Sequence, residues 1–240
     1  MAEPVAMPAA ADEAAHVSAR IRLTTFLSPA FPVGAFSYSH GLEWAIESSV
    51  VRDAETLSGW IADLVSRGSF WCDAVLFKCA HEAATRGDML EIVEIGALAA
   101  ALAPSAERHL ETMAMGEAFL AAIRAAWPDE MLSRLLVATG GRLAYPVAVG
   151  AVAAGHGIAL ADALPVYLNA LAANLVSVSV RLVPLGQSEG LRVIAGMERL
   201  IIETAGRASV TTIDDVGSAT IQSDIASMRH EVQYSRVFRT

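Results

Sequence analysis

Leu57-Ser58-Gly59-Trp60-Ile61-Ala62-Asp63-Leu64-Val65 places its five large apolar residues at i, i+3, i+4, i+7 and i+8. On a helix that spacing forms one apolar stripe; on a strand the same residues would scatter over both faces. The pattern recurs outward from this stretch. Val193, Met197, Leu200 and Ile201 repeat it, and Leu110, Met113, Leu120 and Ile123 form a further stripe with Phe119 and Trp127 alongside. Boundary signals agree. Asp88 with Glu91 three residues on resembles a capping box, and Ser105 after Pro104 has the character of an N-cap. Gly87 and the Gly140-Gly141 pair mark helix ends. Period-2 runs bounded by hairpin turns are absent. The expected fold is all-α, a single compact domain of about eight to ten helices around one core, with no solenoid repeat.

The 240 residues are 54% hydrophobic and 18% charged, and much of the apolar excess is alanine. Such a chain is long enough to bury a sizeable core and suits close helix packing. Acidic residues outnumber basic ones, 26 to 17. Nucleic acid is therefore not expected as a partner, because phosphate neutralisation needs a basic stripe. Cys72 and Cys79 would lie on one face of a helix, too far apart along its axis to bond, which fits a reduced, cytoplasmic setting. Residues 1–19, rich in Ala and Pro, lack a basic region and a long apolar run, so they read as a disordered arm rather than a secretory signal.

Between Arg142 and Arg181 the only formal charge is Asp162, and the run Ala163–Val180 is long enough to span a bilayer. Pro165, Asn169, Asn174, Ser177 and Ser179 interrupt it, and no Lys/Arg asymmetry flanks it. Buried central helices are the better reading, with a helical membrane protein as the alternative.

Two segments break the helical pattern: residues 28–43, with Pro32, Gly34, Phe36, Ser37, Tyr38, His40, Gly41 and Glu43, and residues 181–190, with Arg181, Pro184 and Gly186. Both have the composition of shaped turns at helix ends. The last thirteen residues, 228–240, depart from the acidic body: Arg229, Arg236 and Arg239 are interleaved with Tyr234 and Phe238. Aromatic and arginine side chains give the most binding energy per residue at interfaces, whereas a free terminus is normally small and polar. A final element packed on its own domain is the competing reading of this segment.

No catalytic set emerges. The single lysine, Lys78, sits in Leu76-Phe77-Lys78-Cys79 and cannot complete a P-loop. Neither a dinucleotide fingerprint nor a nucleophile elbow is present. Cys79 and His81 point to opposite sides of a helix, and no two histidines are four residues apart, so no metal site within the chain is expected; a site shared between subunits through His40, His230 or Cys72 is the alternative. Glu43 and Glu47 share a helical face, an arrangement that most often lies in solvent. An enzyme working through Ser37, His40 and Glu43 is the remaining catalytic alternative.

Residues 32–43, 181–187 and 228–239 resemble, in order, three motifs of the F-type urease accessory proteins (UreF). The resemblance spans nearly the whole folded part. It implies an all-helical homodimer of residues 20–227 with a partner-binding tail over 228–240. It implies a chaperone-like, non-enzymatic role with no cofactor: helping to assemble the nickel centre of urease by bridging a UreD/UreH-type protein and a UreG-type GTPase on apo-urease. On this resemblance the tail orders on the UreD/UreH-type partner through Arg229, Tyr234, Ser235, Arg236, Phe238 and Arg239. Glu43 and Arg181, polar residues in apolar motifs, are candidates for the GTPase side. Pro32, Gly34, Phe36, Tyr38, Gly41, Pro184 and Gly186 are expected to shape the motifs. Tyr234 and Phe238, four apart, would share a face if the tail were helical.

Overall fold

The computed structural model describes the backbone of residues 8–239 and the side chains of residues 13–239. Among these residues there is no strand; ten helices of ten or more residues, and one of six, surround a single core. In chain order they are α1 (Pro8–Phe26), α2 (Leu42–Glu47), α3 (Ala54–Arg67), α4 (Ser69–Arg86), α5 (Met89–Ala101), α6 (Ala106–Ala126), α7 (Glu130–Thr139), α8 (Tyr145–Gly155), α9 (Leu160–Leu182), α10 (Gln187–Ser209) and α11 (Ile221–His230).

The stripe that opened the sequence reading is the buried face of α3: Leu57, Trp60, Ile61, Leu64 and Val65 all point inward. The helix starts at Asp53, whose carboxylate accepts from the Thr56 amide at 2.9 Å while the Thr56 hydroxyl accepts from the Asp53 amide at 3.1 Å. Ser105 and Asp88 cap α6 and α5 as their spacing suggested, accepting from Arg108 N at 3.1 Å and Glu91 N at 3.0 Å. The Asp88 box is only half formed, since the Glu91 carboxylate turns to Arg86. Gly87 and Gly140 end α4 and α7 in the left-handed conformation.

At the centre, α8 lies against α4 and α6 with nine buried residues. Gly150 makes this approach possible: a Cβ there would sit 2.4 Å from the Phe77 carbonyl oxygen. By length and composition α9 could cross a bilayer, yet Leu164, Tyr167, Leu168, Leu171 and Leu175 are buried against α10, α4 and other helices of the same chain.

Two expectations are corrected. The arm expected over residues 1–19 is helical from Pro8 onward; residues 1–7 lie outside the described residues. Its alanines favour helix, and Ala19, Leu23 and Phe26 fix the helix to the core, Phe26 meeting Phe119 and Trp127 edge-on. In α6, Leu110 is exposed rather than part of the inward stripe. The buried face instead begins with Arg108 and Glu111 before turning apolar at Met115, Phe119, Leu120 and Ile123. Those two charges can be buried because they pair with each other.

Candidate functional site

The segments 32–43, 181–187 and 228–239 meet at one place. Gly34 and Gly41, both left-handed at φ 74° and 77°, shape the first segment as their positions suggested. Gly34 starts a short 3₁₀ turn over Ala35–Ser37, and Gly41 is the N-cap of α2. A Cβ on Gly41 would lie 2.6 Å from the Ser227 amide nitrogen, so glycine lets α2 sit directly on the backbone of α11. Tyr38 is buried beneath the turn, whereas Pro32 and Phe36 are exposed. Arg181, on the last turn of α9, donates to the Phe36 carbonyl at 3.1 Å and to the Ser177 carbonyl at 3.2 Å. Pro184 carries the chain out of α9, and Gly186 starts α10, its amide donating to the Glu189 carboxylate at 3.0 Å.

The tail lies on this platform. Beyond His230 the chain is turn and irregular structure, so Tyr234 and Phe238 do not share a helical face. A main chain anchored to side chains and carbonyls of the body has no need of internal helical hydrogen bonds. Tyr234 is fully exposed, and Phe238 is buried at 4% exposure with the Arg181 guanidinium 4.5 Å above its ring. The Glu43 carboxylate accepts from two successive tail amides, Val237 at 2.7 Å and Phe238 at 2.9 Å. The Arg239 amide donates to the Ser37 carbonyl at 2.8 Å. Arg236 pairs with Glu107 at 2.6 Å, and Gln233 donates to Glu47. Glu43 and Glu47 are thus tail contacts rather than a solvated pair, and Glu43 is itself buried. Arg229 and Ser235 are exposed.

His230, which the sequence offered only as a possible ligand of a metal shared between subunits, closes the arrangement. Its ring is wholly buried between two carboxylates, with Nδ1 2.7 Å from Glu107 and Nε2 3.1 Å from Glu43. Glu231 caps the start of α6, accepting from the Ala106 amide at 2.8 Å. A second buried cluster begins one turn along α6. Glu111 pairs with Arg108 at 2.5 Å and with His40 Nδ1 at 2.7 Å. Burial alone would raise the Glu111 carboxyl, but Arg108 and His40 outweigh it and bring it down to about 2. His40, left-handed at φ 58°, is lowered by burial and by Arg108. Asp73, on α4 and facing Tyr167 OH at 3.4 Å, is raised by burial to about 7 against the pull of Arg108. Cys72 is pushed up to about 12, chiefly by burial, so its thiol stays protonated and unreactive.

Chemically, this is a charged clasp that holds the chain's own C-terminal segment. Ser37, His40 and Glu43 do not act as one set: His40 faces Glu111, and Glu43 is occupied by His230 and the tail. Among the described residues, no group of three or more His, Cys, Asp or Glu is arranged to hold a metal ion. The signal for the buried clusters was present in the i, i+4 pair Glu107 and Glu111 and in the histidine of the tail motif. Nothing in their spacing distinguished them from a solvated face.

Known proteins are similar to this chain over most or all of its length. The UreF family model matches residues 51–198. A urease accessory protein UreF of Rhodopseudomonas palustris (strain HaA2) is 47% identical over 240 residues, the whole of both chains. One from Rhizobium etli (strain CIAT 652) is 52% identical over 225 residues, covering 94% of this chain and 98% of its own. Another, from Rhodopseudomonas palustris (strain BisA53), is 48% identical over 227 residues and 95% of each chain. With the three motifs converging on one clasp and identity running the length of the chain, this protein belongs to the UreF family.

Proposed function

We propose that this chain is a non-enzymatic accessory protein of urease maturation. It works in the cytoplasm as a homodimer, bridging a UreD/UreH-type protein and a UreG-type GTPase on apo-urease while the nickel centre is assembled. Family membership supports the role in maturation. The observation that carries the finer reading is the convergence of all three motifs on the tail clasp. The exposed face there is apolar, with Ile221, Ile225 and Met228 along α11 followed by Val232 and Tyr234. Such a face, flanked by Arg229, Arg236 and Arg239, has the composition of a protein interface. We assign this face to the UreD/UreH-type partner. Of the two GTPase-side candidates, Arg181 is exposed with the tail in place, whereas Glu43 is covered and becomes reachable only when the tail moves.

Copurification tests the reading. The full chain should retain both partners. A chain ending at Ser227, or one carrying Arg236→Ala with Phe238→Ala, should lose the UreD/UreH-type protein. Undiminished capture by both variants would show that the tail is not the binding element.

A further inference from the structure

We propose that the C-terminal segment is a proton-gated latch, held shut by a proton shared among His230, Glu43 and Glu107. A neutral imidazole has one N–H and one lone pair. Here both ring nitrogens face carboxylate oxygens, at 2.7 and 3.1 Å, and the ring is wholly buried, so water cannot supply the missing donor. A neutral ring beside two carboxylates would set a lone pair against an anion. The closed cluster therefore holds one more proton than a neutral ring and two carboxylates, whichever of the three groups carries it.

The same carboxylates hold the tail. Glu43 receives the Val237 and Phe238 amides, and Glu107 receives Arg236. Losing the shared proton leaves the ring one N–H for two carboxylates in a poorly solvated site, so one of the two anions faces a lone pair. The tail amides and Arg236 alone must then offset that repulsion, and opening the tail admits water to both carboxylates. Closing takes up a proton, so closing weakens as pH rises.

Among the other charged groups, Glu47 lies one turn along α2 from Glu43 and takes Gln233, and Arg181 of α9 covers Phe238. Arg236 sits on Glu107, and Asp224, Arg229 and Glu231 belong to α11 and its end. One turn along α6 lie Arg108 and Glu111 with His40. Asp73, raised by burial to about 7, and His40, lowered by burial, are the rival sensors in that second cluster.

Hydrogen exchange of the Val237 and Phe238 amides in the full-length chain, corrected for intrinsic rates, tests this between pH 5.5 and 8.5. Protection should fall by up to about tenfold per pH unit, the limit for one linked proton. His230→Gln should leave both amides weakly protected at every pH. Glu107→Gln should leave them protected and insensitive to pH, because its amide NH2 donates to the ring lone pair at Nδ1, its carbonyl still accepts from Arg236, and Glu43 keeps the Nε2–H and both tail amides. Asp73→Asn should keep the wild-type slope. Protection in α9 at or above the wild-type level shows that each variant is folded, and Glu107→Gln decides the matter if His230→Gln does not fold. A flat wild-type profile overturns the proposal, as does a wild-type slope in Glu107→Gln or loss of the slope in Asp73→Asn.

Discussion

Replacing Phe238 with alanine separates the stability of the tail from that of the body. Phe238 is 96% removed from solvent and capped by Arg181 at 4.5 Å, but it lies two residues from the chain end, beyond every helix. Burying a phenylalanine contributes about 1.5–3 kcal/mol, and the cation–π contact adds roughly 0.5–1 kcal/mol. Truncation should therefore cost about 2–4 kcal/mol, or roughly 30- to 700-fold in the closed–open equilibrium of the tail. Global stability should hardly move, because Phe238 enters the core cluster from a segment beyond the last helix, and the rest of that cluster stays packed when the tail opens. Trypsin cleavage after Arg236 reads the open population, since the guanidinium must leave Glu107 before it can enter the protease. Release of the 237–240 peptide should accelerate by that factor, with the midpoint of urea unfolding unchanged. If cleavage were no faster, the tail would be held by its main-chain bonds to Glu43 and Ser37 and the aromatic anchor would be irrelevant. If the whole protein lost stability by the same amount, the tail would belong to the core and would not be a latch.

Two further outcomes follow from the same geometry. Gly41→Ala should cost about 3 kcal/mol or more in chemical unfolding, combining a left-handed φ with a Cβ 2.6 Å from the Ser227 backbone. Gly34→Ala, with an equally positive φ and open space around it, should cost only about 1–2 kcal/mol, so equal losses would refute the close-approach argument. Asp73, raised to about 7 from an ordinary value of 3.8, binds a proton in the folded state that the unfolded chain has released. Stability should therefore fall as pH rises from about 4 to 7, and Asp73→Asn should remove that fall, gaining about 2–4 kcal/mol at pH 8 by denaturant titration. Glu111, already ionised throughout that window, cannot produce the same slope. A variant that keeps the wild-type pH dependence would exclude Asp73 as its source.

Local patterns that repeat along the chain were legible in advance. The α3 stripe, the Ser105 and Asp88 caps and the glycines at 34, 41 and 87 each follow from contacts within a few residues, which spacing alone encodes. The α6 stripe misled at its polar end: Arg108 and Glu111 look solvated in sequence, and only their mutual pairing makes burial tolerable. The alanine-rich start of the chain read as disorder because composition does not reveal that Leu23 and Phe26 find a groove beside Phe119 and Trp127.

The tail shows the same division. Its arginines and aromatics mark it as a binding segment, and the motif it shares with the UreF family is visible residue by residue. That it folds onto its own body depends on side chains far away in the chain: Glu43, Glu107 and Arg181 approach residues 230–239 only after α2, α6 and α9 have packed. Sequence determined the helices, their caps and the family, because those are written in short-range spacing. Tertiary structure decided which charges are buried together, because desolvation and pairing act only between groups that the finished fold brings into contact.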